Sequence, residues 1–215
     1  MNLPNKITLT RIFMIPVFVA VFYCGLLSEW CFLASAGVFL LAALTDALDG
    51  HIARSRHLVT DLGKFLDPIA DKVLVSTAFI VLLTLPSAFC VAPFESYGVI
   101  VGGVCVAVIL ARELIVSGFR IIAAGKNLVL AADKIGKIKT TFQDISIGLL
   151  LASMSFLKYG LAGEIVAYVG LACFVISAIL TVVSGVHYLV VNGQVLKDTP
   201  KEAEPKEQQD EGDAS

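Results

Sequence analysis

The chain has 215 residues, 57% of them hydrophobic and 16% charged, with a formal net charge of −2. A soluble domain averages about half apolar and about a quarter charged residues; here the apolar residues run in long uncharged stretches, which excludes a water-soluble domain and indicates an integral membrane protein. The charge is unevenly divided: the segment from Lys197 onward holds three Lys against seven Asp or Glu, which leaves the preceding body at +2.

In chain order, Lys6 and Arg11 precede an apolar run from Ile12. No small-x-small cleavage site follows, so this is expected to be an uncleaved first span, with Pro4 and Asn5 in a short interfacial piece before it. Apolar stretches near the ~20 residues that a span requires fall at 8–27, 31–53, 65–85, 97–117, 141–157 and 163–191. They predict an all-α polytopic membrane protein with six transmembrane helices. Loops are expected at 27–30, 54–64, 86–97, 120–140 and 158–162, with Thr60 or Asp61 as the N-cap of the third helix. Residues 1–196 then form the membrane domain, and 197–215 an acidic tail with almost no apolar residue, expected to be disordered.

Lys6, Arg11, Arg54, Arg56, Arg120, Lys126, Lys134, Lys137, Lys139 and the tail lysines fall on one side of these spans, whereas the opposite loops carry Lys158 alone. The positive-inside rule makes the first side cytoplasmic, with both termini there. Trp30 and Tyr97 suit the outer interface as belt aromatics. The cysteines Cys24, Cys31, Cys90, Cys105 and Cys173 are scattered and odd in number, which argues against a disulfide framework or zinc site; Cys24 and Cys31 flank one loop and could meet. His51 and His57 read as interfacial, and His187 as bonding a neighbouring helix. No internal repeat supports an inverted-repeat transporter, and no nucleic-acid partner is expected.

The stretch "LTDALDGHIARSRHLVTDLGKFLDPIADKVLV" at 44–75 is the exception to this apolar pattern, since it holds Asp46, Asp49, Asp61, Asp67 and Asp71. A charge at bilayer depth costs roughly 2.5–3.5 kcal/mol on the lenient insertion scale, so such groups persist when they pair, face water or bind ions. Asp46 and Asp49 are spaced i, i+3 and Asp67 and Asp71 i, i+4, so each pair shares a helix face. A short turn between the second and third spans predicts an antiparallel hairpin on which both pairs converge. Four converging carboxylates repel one another unless cations neutralise them, and oxygen donors without Cys or His favour Mg²⁺ or Mn²⁺. Two such ions form a clamp for phosphoryl transfer. Gly50, Ala53 and Gly63 leave room for a nucleotide, although small residues also serve helix packing. Pairing with Arg54, Lys64 or Lys72 suits Asp61 but supplies too few cations for the other four.

Written as Asp46-x2-Asp49-Gly50-x2-Ala53-Arg54-x8-Gly63-x3-Asp67-x3-Asp71, the stretch resembles the full signature of the CDP-alcohol phosphatidyltransferase family. That resemblance implies a six-helix membrane enzyme, commonly a homodimer, with a cytoplasm-facing site that displaces CMP from a CDP-linked lipid. "NLPNKITLTRIFMIPVF" at 2–18, "ARELIVSGFR" at 111–120 and "GKIKTTFQ" at 136–143 are similar to one branch of the family. That branch transfers phosphatidyl from CDP-diacylglycerol to sn-glycerol 3-phosphate, giving phosphatidylglycerophosphate and CMP, in a bacterial inner membrane. The resemblance makes Asp46, Asp49, Asp67 and Asp71 metal ligands, with Asp71 also the general base. It implies that Gly50, Arg54 and Thr60 hold the CDP moiety, that Ala53 and Gly63 give it space, and that Asn5, Thr8 and Arg11 lie near the donor. The acidic tail falls outside the family pattern.

Glycerol 3-phosphate brings nearly two negative charges and needs Arg or Lys donors. Arg112, Arg120, Lys137 and Lys139 lie at the cytoplasmic part of the fourth and fifth spans and are candidates to bind it. Lys137 and Lys139 differ by two, so both cannot face one ligand from a regular helix. The alternative use of these cations is topology and anionic-lipid binding, which suits Lys126 and Lys134. Arg112 lies deeper, beside Glu113. Two rival functions remain: the same donor site with another acceptor (a cardiolipin, phosphatidylserine or phosphatidylinositol synthase), and a divalent-cation transporter. The transporter requires polar residues through the outer halves of the second and third spans, where Ser35, Ser76, Thr77 and Thr84 are the polar groups.

Overall fold

The computed structural model describes the backbone of residues 3–56, 61–90, 96–125 and 134–192, and side chains within 9–45, 69–70, 72–90, 96–123 and 136–192. Six α-helices account for nearly all of it: α1 (Leu3–Cys24), α2 (Trp30–Arg56), α3 (Asp61–Leu83), α4 (Gly98–Gly125), α5 (Lys134–Phe156) and α6 (Leu161–Val191). Single 3₁₀ turns at Pro86–Ala88 and Leu157–Tyr159 lie in two of the connections. The six helices fall where the six apolar stretches predict them, and the described residues are all-helical apart from turns.

Three helices contain stretches long and apolar enough to cross a bilayer: Gly98–Ala123, Gly136–Tyr159 and Leu161–Val191. The uninterrupted apolar parts described in the other three, Leu9–Cys24, Trp30–Thr45 and Lys72–Leu83, are shorter. Helix ends differ from expectation on the charged side. α4 runs on to Gly125 and α5 begins at Lys134, so much of the expected 120–140 loop is helical. α2 likewise extends to Arg56 and α3 begins at Asp61. Lys and Arg are good helix formers, so a loss of hydropathy does not end a helix there. α1 is continuous from Leu3 through Pro4 and Asn5, without a separate interfacial piece. Thr60 lies outside the described residues.

α5 is the most enclosed of the three long apolar helices and α4 the most open. α5 packs chiefly against α6 and α2, α2 against α1 and α5, and α4 against α6. Among the described residues α2 touches α3 only lightly and α3 packs more against α1; the turn between α2 and α3, and the side chains on either side of it, lie outside the described residues.

The α5–α6 seam depends on small side chains. Gly163, Ala167, Gly170, Ser177, Ala178, Thr181, Ser184 and Gly185 form much of the buried stripe of α6, at the three- and four-residue spacing of one helix face. A Cβ on Gly170 would lie 3.2 Å from Leu149 Cβ and from the backbone nitrogen of Leu150. Dispersion between closely approaching backbones holds such seams together where lipid removes the hydrophobic drive. Buried serine and threonine hydroxyls on these two helices find partners close by. Ser146, Ser153, Ser177 and Thr181 donate to carbonyls three or four residues earlier in their own helices, a common arrangement for hydroxyls within helices.

Aromatic residues fill the rest of the core. Phe18, Phe22, Phe32 and Phe39 cluster between α1 and α2, and Phe174 of α6 lies 5.4 Å, centroid to centroid, from both Phe79 and Phe89. One end of the bundle is tied by polar contacts. Ser155 donates to the Glu29 carbonyl at 2.6 Å and accepts from the Leu33 amide at 2.9 Å, which satisfies an amide left open in the first turn of α2. Lys158 pairs with Glu29 at 2.6 Å, and Tyr23 meets Thr84 at 3.2 Å. Trp30 and Tyr97 are exposed at this same end. All five cysteines are free, Cys24 and Cys31 included, and His187 is exposed rather than turned onto a neighbouring helix.

Candidate active site

The candidate residues gather at the other end, where α1 begins, α2 ends, α3 begins, α4 ends and α5 begins. Asp46, Asp49, Gly50, Ala53 and Arg54 lie on α2; Gly63, Asp67 and Asp71 lie on α3. Each helix is unbroken through its carboxylates, so the i, i+3 and i, i+4 spacings are kept. Their side chains, with those of Asn5 and Thr8 on α1, lie outside the described residues, and so does Thr60. Among the described residues no group of three or more His, Cys, Asp or Glu gathers. Arg11 on α1 is described and is 1% exposed; an arginine buried about two turns into a helix marks the inside of the bundle at this end.

The acceptor candidates separate into two sets. Lys139 is 2% exposed and makes an ion pair with the Glu113 carboxylate. Arg112 reaches the same carboxylate oxygen, Nη1 to Oε1, at 3.5 Å. Its Nη2 donates to the Ser184 hydroxyl on α6 at 2.8 Å. One carboxylate thus joins α4 to α5, and one guanidinium joins α4 to α6. Lys137 and Arg120, by contrast, are exposed. Arg120 places Cζ 5.9 Å above the ring of the buried Tyr188, a cation–π distance. The two-residue offset between Lys137 and Lys139 therefore has the predicted effect: one faces in, the other out.

Lys72 links this cluster to the carboxylate-bearing stretch of α3. It directly follows Asp71, and its Nζ donates to the Glu113 carbonyl at 3.4 Å. The backbone that carries Asp67 and Asp71 consequently runs beside α4 at the level of the Arg112–Glu113–Lys139 cluster. A small cavity opens between α3, α4 and α5 at this point, with Lys72, Ser76, Glu113, Thr140, Gln143 and Asp144 as its polar lining. Gln143 Nε2 is 3.5 Å from Thr181 Oγ1 on α6, which extends the polar layer across all four helices.

Several of these residues are not singled out by sequence reasoning. Asp144 directly follows the GKIKTTFQ segment, and Ser184, Gly185 and Tyr188 sit in a long apolar helix. Thr181, Ser184 and Tyr188 recur at three- and four-residue intervals, and that periodicity was the available signal. Gly185 matters because a Cβ there would lie 2.9 Å from Arg112 Cγ. Its absence lets the arginine cross α6 to reach Ser184.

Comparison with known proteins agrees with the signature. Residues 1–190 match the family described as CDP-alcohol phosphatidyltransferase. A Bacillus subtilis (strain 168) protein named CDP-diacylglycerol–glycerol-3-phosphate 3-phosphatidyltransferase is 40% identical over 210 residues, covering 91% of this chain and 97% of that protein. Proteins of the same name from Escherichia coli (strain K12) and Salmonella typhimurium are each 37% identical over 198 residues, covering 87% of this chain and 93% of theirs. A signature met at every fixed position, six helices and a match across nearly the whole body lead to one conclusion: the chain belongs to the CDP-alcohol phosphatidyltransferase family.

Proposed function

We propose that this membrane enzyme transfers the phosphatidyl group from CDP-diacylglycerol to sn-glycerol 3-phosphate, giving phosphatidylglycerophosphate and CMP in anionic phospholipid synthesis. The relatives that share 37–40% of its residues carry the name of that reaction. The observation that carries the reading onto this chain is the convergence of Arg112 and Lys139 at Glu113, beside the α3 stretch that bears Asp71. Two cations on neighbouring helices suit a phosphate dianion, and a fork-shaped guanidinium beside a point-charge ammonium gives both orientation and charge.

The acceptor hydroxyl attacks the β-phosphorus of CDP-diacylglycerol in line. The new phosphorus–oxygen bond forms as the bond to CMP breaks, CMP leaves with the electron pair, and Asp71 takes the hydroxyl proton. Asp46, Asp49, Asp67 and Asp71 form an oxygen-only donor set at i, i+3 and i, i+4 helical spacing, which fits two hard divalent ions, Mg²⁺ or Mn²⁺. Such ions, when bound, neutralise the diphosphate and favour departure of CMP. Gly50, Ala53, Arg54, Thr60 and Gly63 hold or admit the CDP moiety, with Asn5, Thr8 and Arg11 near the donor. Arg112 and Lys139 bind the acceptor phosphate, while the exposed Arg120 and Lys137 draw anions to the mouth of the site. All six helices cross the membrane, both termini and the site face the cytoplasm of a bacterial inner membrane, and the enzyme works as a homodimer.

A cation transporter finds little support. Two of the four polar groups of its required outer path are used locally: Ser35 donates to the Phe32 carbonyl at 2.7 Å and Thr84 to the Val81 carbonyl at 2.6 Å. The test supplies purified protein with CDP-diacylglycerol and, separately, glycerol 3-phosphate, serine, inositol or phosphatidylglycerol, and measures CMP. Release with glycerol 3-phosphate alone is expected. Release with another acceptor instead reassigns the enzyme within its family.

A further inference from the structure

We propose that Glu113 is a positioning residue of the acceptor site: its carboxylate holds the Arg112 guanidinium and the Lys139 ammonium as a pair, and acceptor affinity depends on that hold. The proposal rests on the reading that the acceptor is glycerol 3-phosphate.

Adjacent residues on a helix do not face each other. Glu113 nevertheless comes within 3.5 Å of Arg112 Nη1 while pairing with Lys139 of the next helix. Its side chain therefore lies between two cations rather than out along its own radial direction. Both cations are largely removed from solvent, with side-chain exposures of 11% for Arg112 and 2% for Lys139. Two like charges in such a medium repel strongly, and each has lost hydration that an opposite charge must replace. One carboxylate supplies that replacement and still leaves the trio at a net +1, to which a phosphate dianion can bind.

The surroundings fix the carboxylate and its partners. Lys72 donates to the Glu113 carbonyl from α3. Ser184 holds the second terminal nitrogen of Arg112 from α6, and Gly185 leaves space for the arginine stem. Four helices thus set the separation between the two phosphate-binding cations. Glu113 repels phosphate by its own charge, so its benefit lies in placing other groups. It belongs to the binding step and not to bond making.

The experiment compares full-length wild type with Glu113→Gln and Glu113→Asp in steady-state CMP release, varying each substrate in turn. Calorimetric titration with glycerol 3-phosphate in the absence of CDP-diacylglycerol accompanies it. Hydrogen bonds to charged groups are worth enough for a factor of about 10 to 100. Glu113→Gln should raise the KM for glycerol 3-phosphate by that factor and weaken its calorimetric binding in parallel, with the KM for CDP-diacylglycerol within about twofold. Glu113→Asp, which keeps the charge on a shorter arm, should recover part of the loss. Glu29→Gln, at the opposite end, should leave both KM values unchanged.

An unchanged acceptor KM in Glu113→Gln overturns the proposal, as does an equal rise in both KM values, which a merely structural contact would give. Should the Gln variant fail to fold, a normal acceptor KM in Glu113→Asp overturns it equally. Wild type that ignores glycerol 3-phosphate ends the functional reading and this proposal with it. Wild type that uses it, beside a normal Glu113→Gln, ends the positioning role alone.

Discussion

The Arg112 guanidinium donates to the Ser184 hydroxyl at 2.8 Å, joining α4 to α6 at the level where α5 delivers Lys139 to Glu113. A serine in a predominantly apolar helix thereby acquires a role in aiming a cation. Ser184→Ala leaves the charge of Arg112 intact and removes one of its anchors. The KM for glycerol 3-phosphate should rise about tenfold, the loss expected for one hydrogen bond to a charged group. Turnover at saturation should stay near wild type, and steady-state CMP release against acceptor concentration reads the difference.

Gly185 tests the same arrangement by steric means. A methyl placed there comes within 2.9 Å of Arg112 Cγ, close to the backbone end of the side chain rather than at its flexible tip. Gly185→Ala should weaken acceptor binding several-fold, and Gly185→Leu should abolish activity by displacing the arginine from Ser184. Calorimetric binding of glycerol 3-phosphate separates displacement from unfolding, which thermal denaturation in detergent would detect.

Asp71→Asn tests the proton acceptor. An amide cannot take the hydroxyl proton, and positioned general bases contribute roughly 10²- to 10⁴-fold. CMP release should fall by at least about 100-fold while the protein still binds CDP-diacylglycerol. Chelation of divalent ions should silence the wild type, with activity restored by Mg²⁺ or Mn²⁺. Full activity of Asp71→Asn would remove that residue from the mechanism.

The α5–α6 seam should be sensitive to volume. Gly170→Leu forces a branched side chain against Leu149 and Leu150, where even a Cβ sits at 3.2 Å. Overpacking of this kind costs about 1–3 kcal/mol, and the thermal midpoint in detergent should drop by several degrees. Gly170→Ala should fall between the two.

The Glu29–Lys158 pair should matter little. Its side chains are 36% and 72% exposed, and exposed ion pairs contribute about 0–1 kcal/mol. Lys158→Gln should therefore shift the thermal midpoint marginally and leave both KM values as they are.

The sequence by itself determined the class of protein, the number and order of its helices, and the pattern that places it in its family. These follow from local chemistry, since a long apolar stretch must satisfy its backbone internally in a bilayer. A signature is likewise a matter of residue types at fixed intervals. The 3.6-residue period also dictated that Lys137 and Lys139 part company.

Only the tertiary structure decided which of the two turns inward, because burial of Lys139 depends on Glu113 arriving from α4. It also placed α5 against α2, a packing that chain order does not suggest. Helix ends on the charged side escaped hydropathy because Lys and Arg continue a helix readily. Ser184 and Gly185 have no legible chemistry until Arg112 crosses them: a hydroxyl and a missing Cβ acquire a function from what another helix brings within 3 Å.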